Sequence, residues 1–135
     1  MIVLIDTDIL VDLALDRKPY GETAGRLLDV LQTRPGTAYV AWHTLSNFYY
    51  LVVPARGRDT SKAFLTDLVR FVEVAPTTTE SLRYAAKLYM KDFEDAMQVA
   101  AGMACHADVI ATRNVRDYAK APLRAVTPRE VLNEL

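Results

Sequence analysis

The stretch Met1 to Ile5 (MIVLI), closed by Asp6, decides the fold. A half-exposed strand alternates apolar and polar residues, so an unbroken apolar run of this length predicts a strand buried on both faces. Such strands are typical of parallel sheets covered by helices. The sequence therefore predicts an α/β protein with Asp6 at the carboxyl end of a buried strand.

The rest of the chain alternates short apolar strands with helical spacing. Further strands are predicted over residues 37–40, 71–74, 109–111 and 122–126. This alternation requires crossover connections and predicts a three-layer sandwich with a parallel sheet of four or five strands, in one domain spanning residues 1–135. Thr77 and Glu80 have capping-box spacing for a helix start, and residues 54–59 are predicted to be a polar loop.

Composition limits the classes of function. The 16 Lys and Arg residues nearly balance the 17 Asp and Glu residues, so any contact with nucleic acid requires a local basic patch. Arg17, Lys18, Arg113 and Arg116 are candidates, with an ordinary solvated surface as the alternative for each. The single Cys105 excludes an intrachain disulfide and fits a reducing compartment. We expect a cytoplasmic protein, since no signal peptide or membrane-spanning run is recognisable.

Polar and acidic residues follow the predicted strands, at the edge where open parallel sheets bind ligands. They are Asp6, Asp8, Asn47, Asp92, Glu94, Asp95, Asn114 and Asp117. Carboxylates without thiol or imidazole partners suit Mg²⁺ or Mn²⁺, which serve phosphoryl chemistry. For Asp8 and Asp92 the alternative is a helix N-cap, whereas an unpaired Asp6 would be costly to bury.

Three stretches, IDTDILVDLAL, DFEDAMQVAAG and IATRNVRDY followed by VTPREVL, resemble the PIN-domain family, most of all its bacterial VapC-type toxins. The resemblance covers essentially all 135 residues. It implies RNA cleavage that depends on Mg²⁺ or Mn²⁺. By position it implies that Asp6, Asp95 and Asp117 bind metal and that Asn114 assists them. Thr112 and Arg113 would support their loop, or Arg113 would contact phosphate.

One position departs from the family pattern. PIN nucleases usually carry Glu in the helix after the second strand, where this chain has Asn47. An amide offers a carbonyl oxygen but no negative charge, so we expect weaker metal binding unless another acid compensates. Asp8, Asp92 and Glu94 are the candidates. His43 lies one helical turn from Asn47 and could face the same pocket.

Three hypotheses follow. The first is a metal-dependent endoribonuclease, the toxin of a toxin–antitoxin pair, for which the family implies an antitoxin and a homodimer. The aromatic helix at Trp42 to Leu51 is predicted to be buried in the core or an interface.

The second hypothesis is an RNA- or partner-binding module with weakened catalysis, motivated by Asn47. The third rests on Asp6-Thr7-Asp8, which is similar to the Asp-x-Asp start of haloacid-dehalogenase-type phosphatases, although this chain is short for that fold.

Overall fold

Five parallel strands form the middle layer of the molecule, and the computed structural model describes all 135 residues. The strands are β1 (Val3–Ile5), β2 (Ala38–Val40), β3 (Glu73–Val74), β4 (Val109–Ala111) and β5 (Ala125–Val126). Their spatial order is β3-β2-β1-β4-β5, and every neighbouring pair is parallel. This confirms the predicted α/β sandwich and fixes the number of strands at five.

Helices cover both faces of the sheet. They are α1 (Thr7–Ala14), α2 (Tyr20–Gln32), α3 (Trp42–Arg56), α4 (Arg58–Leu68), α5 (Thr79–Lys87), α6 (Phe93–Ala104) and α7 (Pro128–Glu134). A 3₁₀ helix spans Val115–Tyr118. None of these helices has the length and apolar character needed to cross a membrane.

The side chains of β1 explain the two layers of helices. Val3 and Ile5 pack into a core with α1 to α4 and α7, whereas Leu4 faces a second core with α6. All three residues are completely buried, as the unbroken apolar run predicts. Asp6 therefore emerges at the carboxyl end of the central, completely buried strand of the sheet.

The strand order reverses direction at β1. The chain leaves β1 for β2 and β3 on one side and later returns to β4 and β5 on the other. In open α/β sheets, ligands bind in the crevice at such a switch point, outside the carboxyl ends of the strands. The backbone N–H of Asp6 donates to the carbonyl oxygen of Ala111 at 2.9 Å, so the ends of β1 and β4 meet at this crevice.

Two local predictions are wrong. Residues 54–59 are not a loop, because α3 continues through Pro54 to Arg56 and α4 begins at Arg58. Gly57, with a φ of 82°, makes the whole turn between the helices, which a residue with a side chain rarely does. The capping box belongs to Thr78 and Ser81, one residue after the predicted pair.

The aromatic helix α3 is only partly buried. Phe48 is fully buried and stacks on Phe64 with ring centroids 4.7 Å apart. Trp42 and Tyr50, however, are 70% and 74% exposed. Within the single chain, α3 contributes one face to the core and presents the other outward, so the core accounts for only part of the predicted burial. Burial of the outward face in an interface stays a prediction.

Candidate active site

Asp6 lies at the centre of the site and is 8% exposed. Its Oδ1 accepts hydrogen bonds from the backbone N–H of Thr7 at 2.8 Å and from Nε2 of Gln98 at 3.0 Å. Its Oδ2 accepts from Oγ1 of Thr112 at 2.8 Å and from the hydroxyl of Tyr118 at 3.1 Å. Burial raises the pKa of Asp6 even though hydrogen bonds oppose the shift. This one carboxylate thus links α1, α6, the end of β4 and the 3₁₀ helix.

Asp95, in the first turn of α6, shares a hydrogen-bonding partner with Asp6. The Tyr118 hydroxyl lies 3.3 Å from Oδ1 of Asp95, and its single proton serves one carboxylate at a time. The pKa of Asp95 is raised to about 6 by burial and then by the charges of Asp92, Asp6 and Asp117. Asp92 also caps α6, because its carboxylate accepts from the Asp95 N–H at 3.2 Å.

Asp8 holds the loop that follows β4. Its Oδ2 accepts from the backbone N–H of Arg113 at 3.0 Å, from Nδ2 of Asn114 at 3.2 Å and from Oγ1 of Thr112 at 3.3 Å. Its Oδ1 is buried without a partner. Burial, followed by the charge of Asp6, raises the pKa of Asp8 to about 7. The alternative that Asp8 caps α1 is wrong, because the N-cap of α1 is Asp6 and Asp8 lies within the first turn. Asp8 instead fixes the loop beside Asp6.

Asp12 is a residue that our sequence reasoning missed. It is 1% exposed and forms a bidentate pair with Arg113, from Nε at 2.7 Å and from Nη2 at 3.1 Å. Arg17 adds a longer ion pair at 3.7 Å, and the Arg113 guanidinium lies 4.2 Å above the ring of Tyr20. The sequence did contain a signal for Asp12. It follows the apolar residue Ile9 by three positions and so lies on the same side of α1, where a buried carboxylate needs a cationic partner.

Asn47, the residue in place of the family's usual Glu, contacts another acid. Its Nδ2 donates to Oε1 of Glu94 at 3.0 Å. The pKa of Glu94 is raised by burial and then by the charges of Asp6 and Asp92, so Glu94 lies within the same electrostatic environment. Burial lowers the pKa of His43, while the charge of Asp6 opposes that shift. The structure thus brings α3 and the first turn of α6 together at the site.

Gln98 is the second residue that our reasoning missed. It is completely buried and donates to Thr44 at 2.8 Å as well as to Asp6. Its Oε1 has no partner. A lone amide within the apolar stretch AMQVAAG was the available signal, since a buried polar group requires hydrogen bonds. Gln98 fixes one oxygen of Asp6 from α6.

A groove of about 640 Å³ leads away from Asp95 and Asp117, which both line it. Its basic lining residues are Lys91, Arg116 and Lys120. Of the four basic residues predicted to bind RNA, only Arg116 lies here. Arg17 and Arg113 are paired with Asp12, and Lys18 is exposed between α1 and α2.

The chemistry of the donors fits a hard divalent cation. Burial and neighbouring carboxylates raise the pKa values of Asp8 and Asp95, and one buried oxygen of Asp8 has no partner, so a cation would relieve an unfavourable charge. Oxygen ligands of this kind suit Mg²⁺ or Mn²⁺. In the present arrangement no group of three or more His, Cys, Asp or Glu side chains is close enough together to hold a metal ion. The carboxylates would therefore have to adjust around an ion.

Fold and site together define the class: a parallel α/β protein with a carboxylate pocket at the switch point of its sheet. The PIN domain model matches residues 2–116, and the chain belongs to the PIN domain family. The resemblance noted in the sequence is thereby confirmed. No curated protein matches the chain at a significant level.

Solved structures share this fold at low sequence identity. A chain of VapBC2 from Rickettsia felis, solved with a promoter DNA fragment, is 16% identical with a TM-score of 0.73 and coverage of 94% of this chain and 98% of that one. The sarcin-ricin loop cleaving toxin VapC20 from Mycobacterium tuberculosis is 18% identical with a TM-score of 0.69 and coverage of 90% and 95%. FitAcB from Neisseria gonorrhoeae is 15% identical with a TM-score of 0.64 and coverage of 95% and 99%.

Proposed function

We propose that this protein is a divalent-metal-dependent endoribonuclease and the toxin of a toxin–antitoxin pair. The observation that carries the proposal is that Asp6 and Asp95 share the Tyr118 hydroxyl as a neighbour, while Asp117 lines the same groove as Asp95. Membership of the PIN domain family supports nuclease chemistry. The names of the similar structures, VapC20 as an RNA-cleaving toxin among them, support the toxin assignment.

Asp6, Asp95 and Asp117 would hold the Mg²⁺ or Mn²⁺ ion, with Asn114 as a neutral neighbour. When bound, the ion supplies an activated water and neutralises charge on the phosphate. Gln98, Thr112 and Tyr118 keep the Asp6 carboxylate in one orientation through their hydrogen bonds. Preorganised acids of this kind lower the cost of assembling the site around a cation.

Glu94 is proposed to supply the negative charge that Asn47 lacks. The Asn47 amide holds the Glu94 carboxylate at 3.0 Å, and the raised pKa of Glu94 reflects the charge of Asp6. Of the three candidates for compensation, Asp8 is engaged by the loop after β4, and Asp92 caps α6. Glu94 has no partner besides Asn47, so its second oxygen stays free for an ion or its bound water.

The groove that starts at Asp95 and Asp117 is proposed to bind the RNA backbone. Lys91, Arg116 and Lys120 supply positive charge there, in contact range of phosphates that pass the acids. Such contacts give salt-dependent binding with little sequence information. Arg113 and Arg17 are then positioning residues for α1 and the β4 loop, because Asp12 engages both of them.

An antitoxin and a second copy of the chain are the proposed protein partners, and the cytoplasm is the proposed location. The second half of α3 exposes the neighbouring side chains of Tyr50 and Leu51. Exposed apolar groups that lie close together mark interaction sites in soluble proteins. The similar structures are named VapBC2 and FitAcB, and each name joins two protein partners, which supports an antitoxin partner here.

Cleavage of RNA by the purified protein in Mn²⁺ or Mg²⁺ tests the proposal. We expect Asp6→Asn and Asp95→Asn to lower the rate at least about 100-fold, because each removes a charge that the ion requires. Asp29→Asn, an exposed acid on α2, is the matched control and should cleave normally. Wild-type cleavage by Asp6→Asn would show that the mechanism is wrong.

The second candidate is a binding module, which Asn47 favours because an amide adds no charge to the pocket. Its signature is RNA binding that survives chelation without any metal-dependent cleavage. The phosphatase hypothesis has lost its support, because the chain belongs to the PIN domain family and Asp8 is engaged by the backbone N–H of Arg113. Trapping a phosphorylated Asp6 would restore it.

A further inference from the structure

A second, smaller cavity of about 150 Å³ lies between the beginnings of α3 and α5 and the side of α6. We call it the side pocket and define it by Trp42, His43, Thr77, Ser81, Leu82 and Met97. Pockets for drug-sized ligands occupy roughly 300 to 1,000 Å³, so this one suits a single flat ring system. Neither the acids nor the basic groove accounts for it.

The side pocket adjoins the carboxylates. Ala41, also in its lining, follows β2 directly, and β2 pairs with β1, which ends at Asp6. Neighbouring strands lie about 4.8 Å apart, so the pocket begins one strand away from Asp6. On α6, Met97 points about 200° away from Asp95, which lines the groove. The acids therefore lie between the groove on one side and the side pocket on the other.

The lining combines an aromatic side chain with polar groups. The Trp42 side chain is 70% exposed, and the half-buried imidazole of His43 lines the cavity. Leu82 and Met97 supply apolar walls, while Thr77 and Ser81 supply hydroxyl groups. Unpaired RNA bases are recognised by stacking on aromatic side chains and by hydrogen bonds to their edges.

We propose that the side pocket binds one unpaired RNA base beside the phosphate to be cleaved, with the base stacked on Trp42 and hydrogen-bonded to the His43 imidazole. This inference rests on the proposed function, because it assumes that RNA passes the acids. A strand whose phosphates occupy the groove would cross the carboxylates and place its next base in the side pocket. The pocket then selects single-stranded RNA over duplex.

Trp42 is the only tryptophan of the chain, so its fluorescence reports on this pocket alone. The probes are a short single-stranded RNA and an abasic ribose-phosphate oligomer of equal charge, each end-labelled for anisotropy, in buffer with EDTA to prevent cleavage. We expect both to bind and only the RNA to quench Trp42, with the same midpoint as its anisotropy.

Variants separate stacking from charge. Trp42→Ala should weaken RNA binding roughly tenfold to a hundredfold, the loss expected for one base–aromatic stack, and leave the abasic oligomer unaffected. His43→Ala should weaken RNA binding less and in the same selective way. Tyr50→Ala is the matched control, since Tyr50 is equally exposed on α3 but does not line the pocket. Thermal melts verify that each variant folds.

If RNA binds without any change in Trp42 emission, the proposal that the side pocket binds an RNA base is wrong, and the proposed nuclease function is unaffected. An equal loss of abasic binding in Trp42→Ala would also overturn the side-pocket proposal. If neither oligomer binds, this inference fails, while cleavage of RNA by the wild type in Mn²⁺ decides the proposed function separately. Quenching by an antitoxin peptide but not by RNA would reassign the pocket to the protein partner.

Discussion

Arg113 and Asp12 form a bidentate ion pair with nitrogen–oxygen distances of 2.7 and 3.1 Å, although they are 101 positions apart in the chain. The Asp12 side chain is 1% exposed, whereas that of Arg113 is 27% exposed. The guanidinium also covers the ring of Tyr20 at 4.2 Å. The pair joins α1 to the loop after β4, and it therefore maintains the crevice in which Asp6 lies.

Arg113→Ala should lower the free energy of unfolding by about 2 kcal/mol, measured by urea denaturation. Breaking a buried pair costs about 3 to 5 kcal/mol, and the partial exposure of Arg113 and the nearby Arg17 reduce this cost. Arg116→Ala, an exposed arginine three residues later, should leave stability unchanged. Equal stability of both variants would contradict the role given to Arg113.

The stability of the metal-free protein should fall as pH rises from 5 to 8. Asp8 and Asp95 have pKa values raised to about 7 and about 6, above those of the unfolded chain. Their protonation stabilises the folded state at low pH, and this contribution is lost as each ionises. We expect the melting temperature to drop by several degrees across this range.

Asp8→Asn should remove much of this decline, because the neutral amide cannot ionise beside Asp6. Millimolar Mn²⁺ should also reduce the decline in wild type, since a cation favours the ionised carboxylates. Differential scanning calorimetry at matched ionic strength measures both effects. If Asp8→Asn shows the same fall in melting temperature as the wild type, titratable groups other than Asp8 cause the pH dependence.

Tyr118→Phe should shift metal binding to higher pH. The Tyr118 hydroxyl donates to Asp6 or Asp95 and lowers the pKa of both carboxylates. Without it, fewer of them are ionised at pH 7, so we expect Mn²⁺ affinity to fall severalfold at pH 7 and to recover by pH 8.5. Calorimetric titration at several pH values tests this, with Tyr50→Phe as the control. A pH-independent loss would indicate a packing defect.

Glu94→Gln should weaken Mn²⁺ binding roughly 10- to 100-fold, the range typical of outer-shell partners of metal sites. Glu22→Gln alters an exposed acid in the first turn of α2 and serves as the matched control. The double variant Asn47→Glu with Glu94→Gln should regain affinity, because it returns a carboxylate to α3. If Glu94→Gln binds Mn²⁺ as well as the wild type, Glu94 does not supply the negative charge that is missing at Asn47.

Much of the fold could be read from the sequence because burial imposes a pattern. The run at Met1 to Ile5 predicted the strand and its depth, since only a strand covered on both faces tolerates five apolar residues in succession. The boundaries of α3 were less accessible. Pro54 and Gly57 both favour a break, because a proline inside a helix removes one backbone hydrogen bond and a glycine frees the backbone. In the structure α3 continues past Pro54 to Arg56, and only Gly57 interrupts the two helices.

The sequence identified the acidic residues of the candidate site, but it did not identify the residues that hydrogen-bond to them. Asp6, Asp95 and Asp117 follow from strand ends and family pattern, whereas Asp12 and Gln98 act through contacts with residues about 90 to 100 positions away. The contact between Asn47 and Glu94 was likewise invisible, because it depends on how α3 and α6 are oriented. Sequence spacing reports neighbours along an element, and these pairs join different elements.

The hydrogen bonds of Asp6 and Asp8 have a consequence for the synthesis of the protein on the ribosome. Both acids leave the ribosome at the start of synthesis, but Thr112, Arg113 and Tyr118, which hold them, emerge near its end. A nascent chain therefore has the acids without the pocket. The pocket can therefore assemble only when translation of the whole chain is nearly complete, so any activity of this site begins after that point.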